Sequence, residues 1–287
     1  MKDRDLVSRR SFLGLAAATP LGALVLGAAT KHIPVGLELY SVRDDLNKDL
    51  PGTLSKVAEI GYKLVEFYSP YYDWTPTQAR KVRQEMDRLG VRCYSTHNDP
   101  KSFTSEGIGK AMELNHILGT RYIVLASPGT VTTLDGWKHV AVMLNHANHT
   151  LMANGFHAGY HNDDDEWRLL DDKKPIDIIA SETEKSVILQ LDMGNCLASG
   201  GDPVAYIRSN PGRIRAMHVK DWSPQKSYDV LIGQGIAPWK KILTAAQTVG
   251  GIEYYLIEQE GLGGHTEMET AKLSLAAFRK VYQKVYS

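Results

Sequence analysis

The chain has 287 residues, and its 33 Lys and Arg balance its 33 Asp and Glu, so its formal net charge is zero. Hydrophobic residues make up 43% and charged residues 23%, which is a globular composition and excludes the collagen-like, coiled-coil and disordered classes. The charge balance argues against binding to duplex DNA, which needs a basic face. A core of this size needs no disulfides, and Cys93 and Cys196 are predicted to be free thiols or at most one bridge.

The first 30 residues form a segment of different composition. A basic pair in the run Ser8–Gly14, which reads SRRSFLG, precedes an apolar stretch that ends at Ala29. This pattern resembles a twin-arginine export signal. We therefore expect residues 1–30 to be removed, and the protein to be exported to the periplasm by the twin-arginine machinery. A short membrane anchor is the alternative, although Pro20 and several glycines make a poor spanning helix.

The rest of the chain, residues 31–287, alternates short apolar runs with stretches of helical spacing and is predicted to be a single domain. The predicted strands are Val35–Leu39, Leu64–Phe67, Arg92–Thr96, Tyr122–Leu125, His157–His161, Val187–Leu191, Arg215–Val219 and Tyr254–Ile257. The predicted helices are Leu50–Ile60, Thr77–Leu89, Ile108–Leu118, Trp137–Ala153, Ile176–Glu182, Pro203–Arg208, Trp239–Thr248 and Thr266–Tyr286.

Eight strand–helix units over about 255 residues predict a closed (β/α)8 TIM barrel. The alternative is an open doubly wound sheet. No Gly-x-Gly-x-x-Gly follows the first strand, and the sequence contains no Gly-x-x-x-x-Gly-Lys-Ser/Thr phosphate loop. The barrel is therefore the predicted fold.

Polar residues stand at or just after the ends of most predicted strands, and in a barrel these ends meet at one mouth. They are Glu38, Tyr40, Glu66, His97, His161, Asp192, His218, Lys220 and Glu258. Buried carboxylates repel one another unless a proton or a cation compensates them. Carboxylate and imidazole donors without a thiolate favour one divalent ion of Mn, Co, Mg or Zn.

Several short motifs, in this order, are similar to those of the sugar phosphate isomerase/epimerase family, the xylose isomerase-like barrels. They are Gly36–Arg43 (GLELYSVR), Gly159–Asn162 (GYHN), Leu191–Asn195 (LDMGN) with Gly200–Pro203 (GGDP), His218–Asp221 (HVKD), Ile232–Ile236 (IGQGI) and Ile257–Glu260 (IEQE). The resemblance covers the chain after the signal. It implies a metal-dependent barrel enzyme in which strands five to eight supply the ligands, and Asp192, His218 and Glu258 match the last three of them.

The resemblance leaves the strand-five ligand open between His161 and Glu166. Many relatives carry Glu-Asn where this chain has His161-Asn162, and a closer subgroup reads Tyr-His-Asn-His-Asp-Phe-Glu-Phe. This chain departs from that subgroup at Asp163 and Asp165 but keeps Glu166. We assign Glu166 as the ligand and expect His161 to face the substrate. The extra zinc ligands of the abasic-site endonucleases are mostly missing, which argues against a nuclease.

The resemblance implies proton removal next to a sugar carbonyl through an enediolate, with His161, Glu66 or Glu258 as the general base. Substrate contacts are assigned to Glu38, Tyr40, His97 and Lys220. Each residue also has a structural alternative: Asp192 could cap a helix, and His218 could be a core histidine.

Three functions stay open at this stage. The first is a metal-dependent isomerase or epimerase of a sugar or keto-sugar. The second is a lyase or dehydratase on 3-keto-glycosides or inositol-type ketones, and the third is a non-catalytic carbohydrate-binding barrel. Because an exported enzyme would rarely meet sugar phosphates, we expect a non-phosphorylated small molecule as the partner and no nucleic acid. Relatives often form dimers or tetramers, so a homo-oligomer is also an expectation.

Overall fold

The computed structural model of the chain describes residues 33–286, so the predicted export signal lies outside the described residues. Eight parallel strands close into a barrel in sequence order, which confirms the predicted fold. The strands are β1 Val35–Glu38, β2 Leu64–Phe67, β3 Arg92–Asn98, β4 Tyr122–Leu125, β5 His157–His161, β6 Ile188–Asp192, β7 Ala216–Val219 and β8 Tyr254–Ile257.

Ten α-helices accompany the strands within residues 33–286, and the longer ones surround the barrel. They are α1 Arg43–Lys48, α2 Leu50–Ile60, α3 Pro76–Leu89, α4 Ile108–Leu118, α5 Leu134–Ala153, α6 Pro175–Glu182, α7 Met193–Ala198, α8 Pro203–Ser209, α9 Trp239–Ala245 and α10 Glu267–Tyr286. In this range no helix combines the length and the apolar content needed to cross a membrane.

Helix α3 illustrates how local sequence sets the element boundaries. The hydroxyl of Thr75 accepts a hydrogen bond from the backbone N–H of Gln78, and the Gln78 side chain accepts one from the backbone N–H of Thr75. This capping box satisfies two helix donors that would otherwise lack partners. The helix ends at Gly90, whose φ of 65° lies in the left-handed region that glycine tolerates best. The chain then turns directly into β3.

The barrel interior is divided into an apolar layer and a polar layer. The apolar layer consists of Leu64, Tyr122, Val124, Ile188, Ala216, Tyr254 and Leu256. Gly36 of β1 packs against this apolar layer, because a Cβ at that position would come within 2.8 Å of the Leu64 carbonyl oxygen. Since side chains on a strand alternate between faces, the residues two positions further along these strands also point inward.

That second inward layer lies at the carboxyl ends of the strands and is polar. The register pairs Glu38 with Glu66, and Asp192 with His218. A larger apolar cluster lies between the strands and the surrounding helices and fixes the strands in place. Both cysteines are buried free thiols, and no disulfide contributes to this core within the described part of the chain.

Candidate metal centre

The polar layer brings together most of the residues predicted from the strand ends. All of its members are buried: Glu38, Glu66, His97, His161, Gln190, Asp192, His218 and Glu258. Within the layer, the ligand atoms of His161, Asp192, His218 and Glu258 all lie within 4.8 Å of one another. These four side chains come from β5, β6, β7 and the residue directly after β8.

The distances within this group suit a bound cation. His218 Nδ1 lies 3.0 Å from Glu258 Oε2 and 4.0 Å from Asp192 Oδ2. His161 Nε2 lies 3.6 Å from Asp192 Oδ2. Nitrogen and oxygen ligands about 2.0–2.2 Å from one ion are separated by distances of this order. The separations of these four side chains are therefore compatible with one shared divalent metal.

An unsatisfied polar atom supports the same interpretation. His161 Nε2 is buried and has no hydrogen-bond partner, and the neighbouring Asp192 Oδ2 is buried with the Lys220 ammonium 2.9 Å away. Leaving a buried polar atom unpaired costs free energy, so the His161 nitrogen needs an explanation. A metal ion beside His161 Nε2 would satisfy that atom and would contact Asp192 Oδ2 as well.

Asp192 combines the helix-cap role and the ligand role that the sequence left as alternatives. Its Oδ1 accepts a hydrogen bond of 2.8 Å from the backbone N–H of Asn195, which caps α7. Its own N–H donates to Asn162 Oδ1 at 3.0 Å. The cap holds the carboxylate in one orientation and leaves Oδ2 directed at the cluster.

Two further groups of side chains overlap the first one. They are His97, His161 and His218, and Glu38, Glu66, His97 and His218. The rings of His97 and His218 are stacked with only 13° between their planes. Because the nitrogen lone pairs lie in the ring planes, two parallel rings cannot both direct them at one ion. The group of His161, Asp192, His218 and Glu258 is therefore the best candidate.

Glu66 lies below the candidate site and orients His218. Its Oε2 is 2.7 Å from His218 Nε2, and both its oxygens accept hydrogen bonds from Gln190. Burial raises the pKa of Glu66, but the imidazoles of His97 and His218 outweigh that effect and hold the pKa well below its usual range. An ionised Glu66 accepts the Nε2 proton of His218, so Nδ1 can bind a metal once the metal replaces its contact with Glu258 Oε2. Glu66 is not on the cavity wall described below, so we assign it a positioning role.

We expect Glu66→Gln to weaken divalent-metal binding by about 10- to 100-fold, because the glutamine lacks the charge that orients His218. Calorimetric titration of the metal-free protein with Mn²⁺ measures this effect. Glu59→Gln makes the same change on the exposed face of α2 and should bind Mn²⁺ like the parent protein. Equal affinities in all three proteins would contradict the positioning role.

A cavity of about 370 Å³ opens above the candidate metal centre. It is lined by Tyr40, Tyr68, Ser69, His97, Ala126, Ser127, His161, Asp163, Asn195, Glu258 and Glu260. Four residues predicted for the site are in this set: Tyr40, His97, His161 and Glu258. A larger groove of about 740 Å³ lies at the opposite end of the barrel, beside Ile33 and Phe278, and none of the predicted site residues lines it.

The remaining predicted substrate contacts lie below the cavity. Glu38 is fully buried, and one of its oxygens accepts a hydrogen bond of 3.1 Å from the Tyr40 N–H. Burial, followed by the charge of Glu66, raises the pKa of Glu38 well above its usual value. The Lys220 ammonium is also buried, and it contacts Asp192, Glu258 and Glu260. Neither residue lines the cavity.

Seven lining residues were not assigned to the site from the sequence, and the three of them with carboxyl or amide side chains are Asp163, Asn195 and Glu260. Burial is the main factor that raises the pKa of Asp163 and that of Glu260. Asp163 and Glu260 each lie two residues after a predicted site residue, His161 and Glu258 respectively, and this spacing was the available signal.

Glu166 lies apart from the candidate ligands. The Tyr160 hydroxyl donates to Glu166 Oε1 at 2.5 Å, and Glu166 belongs to none of the three groups found among residues 33–286. Tyr160 and His161 are consecutive in β5, so their side chains leave opposite faces of the strand. This geometry favours His161 as the strand-five ligand and places Glu166 against the outer face.

Glu166→Gln is expected to stabilise the protein at alkaline pH. Burial raises the pKa of Glu166 from 4.5 to about 7, so the folded state holds this proton more tightly than the unfolded state does. The contribution to stability is complete below the unfolded pKa and is lost as pH rises through 7. We expect the variant to gain about 2–3 kcal/mol relative to the parent between pH 5 and pH 8.

Urea unfolding of both proteins at the two pH values measures this difference. Glu182→Gln changes an exposed carboxylate at the end of α6 and should give no comparable gain. If Glu166→Gln and the parent lose the same free energy of unfolding between pH 5 and pH 8, the buried carboxyl has no such effect.

Solved structures with a similar fold were found across most of the chain. A sugar phosphate isomerase/epimerase from Parabacteroides distasonis ATCC 8503 shares 24% identity and a TM-score of 0.73, over 87% of this chain and 94% of that one. D-psicose 3-epimerase with D-tagatose, from Clostridium cellulolyticum H10, shares 13% identity and a TM-score of 0.66, over 88% and 99%. The IOLI protein with a bound zinc atom shares 16% identity and a TM-score of 0.69, over 89% and 100%.

At these identities the likeness shows the fold alone. No curated protein matches the chain. The model of one protein family, described as the xylose isomerase-like TIM barrel, matches residues 54–281. This match spans most of the chain and agrees with the closed barrel of eight parallel strands. The chain therefore belongs to the xylose isomerase-like TIM barrel family.

Proposed function

We propose that the protein is a divalent-metal-dependent isomerase or epimerase of a non-phosphorylated sugar or keto-sugar. The observation that carries this proposal is the convergence of His161, Asp192, His218 and Glu258 beneath an open cavity. The names of similar structures, a sugar phosphate isomerase/epimerase and a D-psicose 3-epimerase, support a sugar substrate. The zinc atom in the IOLI protein supports a metal.

The proposed ligand atoms are His161 Nε2, Asp192 Oδ2, His218 Nδ1 and Glu258 Oε2. Two imidazoles and two carboxylates suit Mn, Co, Mg or Zn. When bound, such an ion acts as a Lewis acid that stabilises negative charge on neighbouring sugar oxygens.

Glu258 is the proposed general base. Burial raises its pKa, but the positive charges of Lys220 and His218 outweigh burial and hold the pKa well below its usual range. The residue is therefore an ionised carboxylate on the cavity wall. Its Oε2 contacts His218 and Lys220, which leaves Oε1 to take a proton from the carbon next to a sugar carbonyl.

A second acid is needed to return a proton to another position or another face. Asp163 and Glu260 both line the cavity, and burial raises the pKa of each carboxyl. A raised pKa favours the protonated form, which can donate. We propose that Asp163 returns the proton, because Glu260 pairs with the Lys220 ammonium, and that His161 serves as a ligand.

The lining of the cavity supports a substrate without phosphate. Three carboxyl groups line it, from Asp163, Glu258 and Glu260, and no lysine or arginine does so among the described residues. A phosphate dianion would find no lysine or arginine on this wall to pair with, and the ionised carboxylate of Glu258 faces the same space. The rings of Tyr40 and Tyr68 pack edge to face 5.5 Å apart and present aromatic surface to the cavity.

The experiment that tests this function is deuterium exchange in D₂O. Neutral aldoses, ketoses and keto-glycosides, each beside its phosphate ester where one exists, are incubated with protein loaded with Mn²⁺, Co²⁺, Mg²⁺ or Zn²⁺. Nuclear magnetic resonance spectra then report exchange at the carbon next to the carbonyl. We expect exchange into a neutral sugar, with chelation abolishing it and the phosphate esters reacting poorly.

Other outcomes separate the alternatives. An elimination product from a 3-keto-glycoside would identify a lyase that uses the same proton abstraction. Tight sugar binding without exchange at full metal loading would identify a carbohydrate-binding protein. Exchange that survives complete removal of the metal would contradict the proposal.

Export to the periplasm through the twin-arginine machinery is a further part of the proposal, and it rests on the motif Ser8–Gly14. Changing Arg9 and Arg10 to lysine together should keep the full-length protein in the cytoplasmic fraction. Equal periplasmic recovery of the changed and unchanged proteins would contradict this assignment.

A further inference from the structure

Lys220 follows β7 directly and places a buried positive charge beside the proposed metal ligands. Its Nζ lies 2.9 Å from Asp192 Oδ2 and 3.0 Å from Glu258 Oε2. These are the two carboxylate oxygens proposed for the metal. The ammonium also contacts Glu260, and only 1% of the Lys220 side chain is exposed.

The fold provides a specific path for this side chain. Gly194, in α7, lies against the aliphatic part of Lys220, and a Cβ at that position would come within 2.3 Å of Lys220 Cγ. Any other residue at 194 would displace the lysine. On another side, the Tyr228 ring lies 5.1 Å from the ammonium, which is a favourable cation–π distance. The placement of Lys220 is thus fixed by its surroundings.

An ammonium and a divalent ion that share two carboxylate oxygens repel each other. At a separation of about 4 Å and an effective dielectric constant near 20, this repulsion is large enough to change a binding constant by about tenfold or more. Without a metal, the ammonium compensates Asp192 and Glu258, which would otherwise repel each other. With a metal, the same charge opposes binding, and Glu260 is the remaining carboxylate partner for the lysine.

We propose that Lys220 is a resident cation of the metal centre: it compensates Asp192 and Glu258 in the metal-free protein and lowers the affinity of the site for divalent metal. Glu260 holds the ammonium when the metal takes the two shared oxygens. This inference rests on the metal centre of the proposed function.

The test compares Mn²⁺ binding by calorimetry and thermal unfolding, with and without chelator, in the parent protein and Lys220→Met. We expect Lys220→Met to bind Mn²⁺ at least about tenfold more tightly. Its metal-free form should melt at a lower temperature than the metal-free parent, and saturating Mn²⁺ should close that gap. Lys226→Met removes an exposed lysine from the same loop and should match the parent in both measurements.

A second variant keeps the test decisive if Lys220→Met does not fold. Glu260→Gln removes the alternative partner of the ammonium, so we expect Mn²⁺ to bind at least about fivefold more weakly. A folded Lys220→Met with equal or weaker affinity would overturn the inference, as would an unchanged affinity in Glu260→Gln.

The results also separate this inference from the metal centre itself. If the parent binds one Mn²⁺ and Lys220→Met binds it no more tightly, only the role of Lys220 fails. If neither protein binds Mn²⁺, the metal centre fails and the inference fails with it. If Lys220→Met binds Mn²⁺ and the parent does not, the inference is supported, because the ammonium then excludes the metal from the parent site altogether.

Discussion

Replacing Asp192 with asparagine is expected to weaken divalent-metal binding by about 100-fold or more. The change removes one negative charge and one ligand oxygen from the centre of the candidate site. The fold should persist, because an asparagine side-chain oxygen can still accept the hydrogen bond from the Asn195 N–H that caps α7. Calorimetric titration with Mn²⁺ gives the affinity, and elemental analysis of the purified protein gives the metal content.

Asp202→Asn is the matched control for this variant. Asp202 caps α8 through hydrogen bonds from the N–H groups of Val204 and Ala205, but it belongs to none of the candidate metal groups in the described chain. It should bind Mn²⁺ like the parent. Equal affinity in Asp192→Asn and Asp202→Asn would show that Asp192 is only a helix cap.

Glu258→Gln is expected to lower the rate of proton exchange by about 10²- to 10⁴-fold at saturating metal. The amide keeps the shape of the side chain but cannot accept a proton from carbon. Metal affinity should also fall, so the assay is run at metal concentrations that titration shows to be saturating. The measured quantity is the rate of deuterium incorporation into the sugar identified in the substrate screen.

Glu253→Gln provides the control at the other end of the same strand. Glu253 precedes β8 and pairs with Arg215 at 2.7 Å, remote from the cavity-lining residues. Its substitution should leave the exchange rate unchanged. A Glu258→Gln variant that keeps more than about a tenth of the parental rate at full metal occupancy would exclude Glu258 as the base.

The barrel could be predicted from the sequence because most strands are short, mainly apolar runs and helices such as α3 end at a glycine. The helices α1 and α7 were not predicted. Both have six residues, which is too short for a helical period to stand out, and α7 begins at the Asp192 cap. These two helices lie beside the site, where local turn chemistry outweighs periodicity.

The cluster of ionisable residues could also be predicted, because parallel strands of a barrel end at one mouth. The separate roles of its members could not. Glu38, Glu66 and Glu258 all lie at or just after a strand end, yet only Glu258 lines the cavity. Depth within the barrel depends on strand length and tilt, which one sequence does not specify.

The choice between His161 and Glu166 shows the same limit. The two residues are five positions apart, and both carry groups that can bind metal. Only the alternation of side chains along β5 separates Glu166, bonded to Tyr160, from the inward-facing His161. The contact of Lys220 with the carboxylates of Asp192 and Glu258 depends on the absence of a side chain at Gly194. No sequence motif indicates this packing.

One divalent ion held by four side chains is the centre of the proposed site. Anomalous diffraction from crystals of the Mn²⁺-loaded protein, collected near the manganese absorption edge, locates that ion independently of activity. We expect a single peak about 2.0–2.3 Å from His161 Nε2, Asp192 Oδ2, His218 Nδ1 and Glu258 Oε2, with Glu166 uncoordinated. A peak bound by Glu166 and not by His161, a peak elsewhere, or no peak at full Mn²⁺ loading would contradict the proposed site.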